Sequence, residues 1–308
     1  MYESFFGLRE KPFALTPNTE FLVQLAPYQA CLNLLRVALD EGEGFIKVSG
    51  EVGTGKTLLC RALLNQLDPA RYQVAYLPNP CLTPLELRQA LARELHVGAL
   101  LKADHSGLLD DLLTRRLIEL AAAGMSVVVL IDEAQALPEE TLEALRLLTN
   151  LETERTKLLQ VVLFGQPELD ATLERHEFRQ LRQRITFSYR LRALDTTDVR
   201  RYLQERLAVA GYRGEPLFSD AAVRRLVQGS GGIPRLLNIL AHKSLMVAYG
   251  QGRRQIGPAQ VARAIADTEG AQPVNQTRKW LGWGLTVVAV VLLIGVWPWL
   301  GPLREVLP

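Results

Sequence analysis

The chain has 308 residues, with 35 Lys and Arg against 33 Asp and Glu. That formal net charge of +2 excludes a wholesale polyanion binder. Hydrophobic residues make up 48% and charged residues 22%, a globular balance that excludes disorder and low-complexity repeats. Cys31, Cys60 and Cys81 are scattered, with no CxxC and no His at ligand spacing. This argues against a disulfide scaffold or zinc site and for a reducing compartment.

In chain order, the opening MYESFFGLREKPF carries charge early and has no long apolar stretch, so no cleavable leader is expected. Apolar runs at Phe45–Ser49, Gln73–Leu77, Val127–Asp132, Leu159–Gly165 and Thr186–Leu191 predict five strands. The helical spacing between them predicts crossover connections and a parallel α/β sheet. Val127–Ile131 is apolar on both faces, as a central strand covered by helices should be.

The first run leads into Gly50-Glu51-Val52-Gly53-Thr54-Gly55-Lys56-Thr57, an unbroken GxxxxGK[ST] between a strand and a helix. Glycines there let backbone N–H groups turn inward around phosphate oxygens, and the helix start adds positive potential. Lys56 would reach the β- and γ-phosphates of ATP, and the Thr57 hydroxyl would bind Mg²⁺. The third run ends in Asp132-Glu133. An unpaired carboxylate at the end of a buried strand is costly as packing. Asp132 therefore suits a Mg²⁺ ligand and Glu133 the activator of an attacking water; the plainer reading of Glu133 is an acid at the start of a helix. Gln166 follows the fourth run, where a polar side chain can touch the γ-phosphate or the water, or simply make a turn before Pro167.

Between Arg175 and Arg201 the chain carries Arg175, Arg179, Arg182, Arg184, Arg190, Arg192, Arg200 and Arg201, opposed in that stretch by Glu177, Asp195 and Asp198. This block reads as a solvated face, or as a neighbour-facing surface in which Arg182 or Arg184 is an arginine finger. Without interleaved aromatics or adjacent basic runs it makes a poor nucleic-acid patch.

From Asp195 onward only helical patterns remain, over Thr196–Ala210, Ser219–Gln228, Pro234–Tyr249 and Pro258–Ala266. Asp195 is a natural N-cap, and Gly211 and Gly214 punctuate the end of the first helix. A small all-helical domain over 195–268 is expected after a core over 1–194. In it, Gly231-Gly232-Ile233-Pro234-Arg235 opens a helix, with Arg235 able to swing toward the γ-phosphate. A polar linker over 269–280 leads to Leu281–Leu300, 20 residues without a charge. As a helix these reach ~30 Å, enough to cross a bilayer. All four tryptophans, Trp280, Trp283, Trp297 and Trp299, bracket this stretch as an aromatic belt would. Arg278 and Lys279 before it predict a cytoplasmic N-terminal part and a short outer tail over 301–308.

The P-loop, the Asp-Glu pair, the polar strand end, the arginines before a fifth strand and the GIPR helix start together resemble the AAA+ ATPases. Within them, MYESFFGLREKPFALTPNTEFL, GEVGTGKTLLCRALL, VVVLIDEAQALPEETLEALRLLTNLET, LLQVVLFGQPEL and GGIPRLLNILAHKSL resemble the ExeA/GspA family of secretion ATPases. The likeness covers most of residues 1–268. It implies a parallel ASCE sheet with an all-helical lid, Lys56 and Thr57 at ATP and Mg²⁺, and Asp132-Glu133 as Walker B. It also implies Gln166 as sensor 1, Arg235 as sensor 2, and a finger at Arg182 or Arg184. The implied activity is ATP hydrolysis by a homo-oligomer at the bacterial inner membrane, serving pilus (MSHA-type type IV) or secretin assembly proteins. Longer relatives carry a peptidoglycan-binding domain after the membrane helix; Gly301–Pro308 is too short to fold, so peptidoglycan contact is expected only through a partner. Two other readings share the motifs: a DNA-linked regulator of transposition type, against which the apolar span argues, and a nucleotide-dependent scaffold with little hydrolysis.

Overall fold

A computed structural model describes residues 1–16, 18–78, 80–97, 106–152 and 157–272, with side chains described from Leu109 onward in the helix that starts at Ser106. The expected span at 281–300, the greater part of the linker and the tail lie outside these residues. Among the described residues no helix is long and apolar enough to cross a membrane.

Five strands form one sheet: β1 (Phe45–Gly50), β2 (Tyr72–Leu77), β3 (Ser126–Ile131), β4 (Leu159–Gly165) and β5 (Ile185–Leu191), in the order β2-β3-β4-β1-β5. Every pairing is parallel, and each strand lies within a residue of its expected position. The helices are α1 (Tyr2–Phe6), α2 (Ala26–Asp40), α3 (Lys56–Gln66), α4 (Pro84–Glu94), α5 (Ser106–Ala122), α6 (Glu139–Leu148), α7 (Pro167–Glu174) and α8 (Arg179–Arg184), followed by α9 (Thr196–Val209), α10 (Asp220–Ser230), α11 (Pro234–Gly250) and α12 (Pro258–Ala266).

Alternation along the strands divides the apolar core in two. Val127, Val129 and Ile131 of β3 and Val161 and Leu163 of β4 face α4–α8. Val128, Leu130, Val162 and Phe164 face the layer that holds α2 and α3. Each fully buried side chain of this kind contributes roughly 1.5–3 kcal/mol, so the two-sided burial of β3 and β4 fixes the middle of the sheet.

The second cluster continues from α2 and α3 into α9–α12 and back to the N-terminus. Asp195 caps α9 as expected, accepting from Asp198 N at 2.9 Å. Tyr2 and His242 Nδ1 are 2.8 Å apart in a hydrogen bond, and the rings of Phe13 and Phe218 lie 6.1 Å apart. Arg206 of α9 is only 5% exposed. Its guanidinium donates to Pro12 O at 2.7 Å and Ala14 O at 3.0 Å, and lies over the Phe21 ring. Tyr2, Pro12, Phe13, Ala14 and Phe21 thus clasp the N-terminal segment to residues that come 185 to 240 positions later. At the other end, Ala271 packs on the same cluster and Gln272 N donates to Gly229 O at 2.9 Å, so the start of the expected linker still lies on the helices.

Candidate nucleotide site

Because all five strands are parallel, β1, β3 and β4 end on one edge of the sheet. The pairings Ser49↔Gly165 and Ile131↔Leu163 bring the ends of β1, β4 and β3 side by side. Gly50–Thr57 leaves β1, Asp132-Glu133 leaves β3, and Gln166 leaves β4 between them.

The loop is held from inside. Lys56, only 5% exposed, donates from Nζ to Gly50 O at 2.7 Å and Glu51 O at 3.0 Å. Thr54 Oγ1 donates to Glu51 O at 2.8 Å, and the Tyr28 hydroxyl donates to Thr54 O at 3.0 Å. Val52 stands exposed at the rim. Gly53 has φ 82°, and a Cβ there would lie 2.6 Å from the Arg235 Cβ, so only glycine allows the loop to meet α11. That contact is a hydrogen bond from Arg235 N to Gly53 O at 3.1 Å. Gly232 performs the matching task below it: with φ 72°, its missing Cβ would lie 2.2 Å from Leu194 O. Gly53 and Gly232 therefore seat the start of α11 against the P-loop and against the segment that follows β5.

Asp132 is 3% exposed. Burial pushes its carboxyl above the usual range, opposed by hydrogen bonds from the Thr57 hydroxyl and the Glu133 N–H. The hydroxyl and carboxylate expected to hold Mg²⁺ are thus hydrogen-bonded to each other, a donor pair that fits the ion. Among the described residues no cluster of three His, Cys, Asp or Glu side chains is placed to hold a metal by itself. A divalent ion at Thr57 and Asp132 would therefore take its remaining ligands from phosphate oxygens and water.

Glu133 has φ 53° and ψ 38°, a left-handed conformation that costs a non-glycine residue ~1 kcal/mol or more. Its Oε2 accepts from Gln135 Nε2 at 2.6 Å and from Gln166 Nε2 at 2.9 Å. Burial pushes this carboxyl up, but those two bonds and the nearby Lys56 charge outweigh it, and the net shift is downward. Adjacent acids are thereby driven apart, Asp132 up and Glu133 down. Lys56 is pushed down by its burial, opposed by the charges of Glu133, Asp132 and Glu51.

Lys56, Thr57, Glu133 and Gln166 line a cleft of about 340 Å³. Gly53, Gly55, Lys56 and Thr57 form its floor, Glu133 and Gln166 one end, and Pro234 and Arg235 the facing side. The remaining wall comes from residues that sequence reading passed over: Ala14–Thr16, Asn18 and Phe21–Val23 of the N-terminal segment, with Tyr28, Tyr202, Arg206 and Asn238. One signal of this was in the sequence. Arg206 stands on the apolar stripe of α9, among Val199, Tyr202, Leu203 and Leu207, where a charge calls for a buried partner.

Arg182 and Arg184 are not brought to this cleft. Arg182 donates to Glu174 O at 3.2 Å, and Arg184 to Arg146 O and Thr149 Oγ1, both at 3.3 Å. They precede β5, whose Ile185 pairs with Phe45 while its Leu191 pairs with Gly50, so a full strand separates them from the P-loop. The basic block is also more neutralised than its local acids imply. Arg175 pairs with Glu139, Arg200 with Asp220 at 2.8 Å and Arg201 with Glu205 at 2.5 Å, partners that lie outside the block in sequence.

A parallel sheet ordered β2-β3-β4-β1-β5, with a P-loop after β1 and paired acids after β3, defines a nucleotide-binding P-loop fold of the AAA class. The family model described as "AAA domain" matches residues 39–173. General secretion pathway protein A from Aeromonas hydrophila is 42% identical over 301 residues, 97% of this chain and 54% of that protein. These matches support an ExeA/GspA-like AAA family, and the chain spans about half the length of the curated relative it matches. Solved structures share the fold. The Aeropyrum pernix ORC1 protein in complex with DNA gives a TM-score of 0.59 at 20% identity, over 84% of this chain and 69% of that one. Cdc6p from Pyrobaculum aerophilum gives 0.58 at 19% identity, over 78% and 67%.

Proposed function

We propose that the chain is a membrane-anchored ATPase that binds and hydrolyses ATP with Mg²⁺ to assist assembly of a secretion apparatus or type IV pilus. Within that class, the stretches ETERTKLLQVVLFGQPEL and GFIKVSGEVGTGKTLLCRALL point to MSHA-type pilus biogenesis. The observation that carries the hydrolytic part is Glu133, held by two glutamine amides at the mouth of the P-loop beside the Thr57–Asp132 pair. The anchoring part rests on the charge-free stretch 281–300, with the membrane-proximal Arg278 and Lys279 on its cytoplasmic side. The secretion part rests on the relative named General secretion pathway protein A.

In this reading Lys56 and Arg235 take the phosphates from two sides of the cleft, and Thr57 and Asp132 hold Mg²⁺. The ion, when bound, offsets charge on the phosphate oxygens. Glu133 accepts a proton from water as the water oxygen bonds to the γ-phosphorus and the bond to the bridging β-phosphate oxygen breaks. Gln166 orients the γ-phosphate or that water. Arg182 or Arg184, a strand's length from its own cleft, serves the site of a second copy in a homo-oligomer.

Phosphate release by the full chain in mild detergent, measured across protein concentration, tests this. Turnover that rises with concentration and is lost in both Lys56→Ala and Glu133→Gln is expected. Tight ATP binding without turnover at any concentration would favour the scaffold reading, and turnover that requires DNA would favour the transposition-type one.

A further inference from the structure

Glu133 is placed by its backbone as well as by its side-chain partners. Its left-handed conformation starts a 3-10 turn over Ala134–Ala136, and that turn folds Gln135 back over the carboxylate two residues before it. The Gln135 amide is then tied at both ends. Nε2 donates to Glu133 Oε2 at 2.6 Å, while Oε1 accepts from the backbone N–H of Gln166 at 3.0 Å. These partners fix the orientation of the amide, because a backbone N–H needs an acceptor and a carboxylate needs a donor. Gln166 closes the ring, its Nε2 reaching the same Glu133 Oε2 at 2.9 Å. Both donors fall on one oxygen, so Oε1 keeps the lone pairs they leave uncommitted.

The two glutamines hold different positions. Gln166 lines the cleft, where a γ-phosphate can recruit its amide. Gln135 is not part of the cleft wall, and its two bonds join the acid after β3 to the end of β4. We infer that Gln135 is a positioning residue for hydrolysis: it holds Glu133 by one oxygen and ties it to β4, so the other oxygen stays aimed at the water when Gln166 turns to the nucleotide. This rests on the ATPase reading above.

Kinetics of the full chain in mild detergent test it. Gln135→Ala should lower kcat about tenfold, with KM for ATP and affinity for a fluorescent ATP analogue held within about twofold. In a Glu133→Gln background the same change should cost nothing further, since the group it aims is already gone. Two charged variants separate the two bonds. Gln135→Lys keeps a donor for Glu133 and loses the acceptor for Gln166 N–H; Gln135→Glu does the reverse. Lys should retain more kcat than Glu. Wild-type kcat in Gln135→Ala, full additivity with Glu133→Gln, or a Glu variant faster than the Lys variant would each overturn the inference. Equal phosphate release by wild type and Glu133→Gln would instead sink the ATPase reading itself.

Discussion

The acid corner and the outer wall of the cleft are built in opposite ways. Asp132, Glu133 and Gln166 sit at the buried ends of adjacent strands, and hydrogen bonds between near neighbours in space fix them. The wall over residues 14–23 has no sheet beneath it. It is held by Arg206, by an aromatic contact between Phe13 and Phe218, and by its own 3-10 turn over Thr19–Phe21, capped by Asn18. On the proposed ATPase reading, chemistry falls to the strand ends, and closure around the ligand to a segment whose anchor lies in another region of the chain. Changes in the first region should act on kcat, and changes in the second on ATP affinity and stability.

The largest test of that division is Glu133→Gln. It should lower kcat by roughly 100-fold or more, while binding of a fluorescent ATP analogue stays within about twofold; equal losses in both would merge the two regions. Arg206→Met is the counterpart in the wall. Removing a buried guanidinium leaves the carbonyls of Pro12 and Ala14 without their donor and should cost about 3 kcal/mol, a fall in Tm of roughly 6–12 °C. KM for ATP should rise while kcat changes little, measured by calorimetry and phosphate release. Gly53→Ala probes the seam between the regions. Its Cβ would collide with Arg235 at 2.6 Å, in a backbone conformation that disfavours any side chain. ATP affinity should fall about tenfold, ~1.4 kcal/mol, with a smaller change in Tm than Arg206→Met causes.

The smallest effect concerns acid. His242, hydrogen-bonded to Tyr2, has its pKa pushed below 6.5 by burial and by the Lys11 charge, against the opposing Glu3. The unfolded chain then binds the proton more readily than the folded one. The stability this group contributes is present above about pH 6.5 and is lost as pH falls toward the folded value. Tm should drop slightly between pH 7 and 5.5, on the order of 1 °C, and His242→Asn should flatten that part of the curve.

The same division decides what could be read from the sequence. The strands announce themselves because β-branched runs bounded by turn residues have few other uses, and the P-loop because its glycines and Lys-Thr pair are bound to a strand–helix context. Asp195 declares α9 through its cap. The wall was not legible, since MYESFFGLREKPFALTP gives no hint of which helices will cover it. Gln135 was visible as a letter in the Asp-Glu motif, but its task depends on a left-handed turn at Glu133 that no propensity predicts. How far the basic block is neutralised was out of reach for a related reason: Glu139 and Asp220, which pair with part of it, come from elsewhere in the fold.

The clasp between Pro12 and Arg206 also orders events during synthesis. These residues are 194 positions apart, so at ~5–20 residues per second the ribosome takes roughly 10–40 s to supply the second after the first. Through that interval the nascent chain acquires a P-loop, both acids and a complete sheet sequence, yet no finished nucleotide cleft. A chain interrupted before α9 would carry every phosphate-binding residue of the P-loop with nothing to hold the wall around a bound nucleotide.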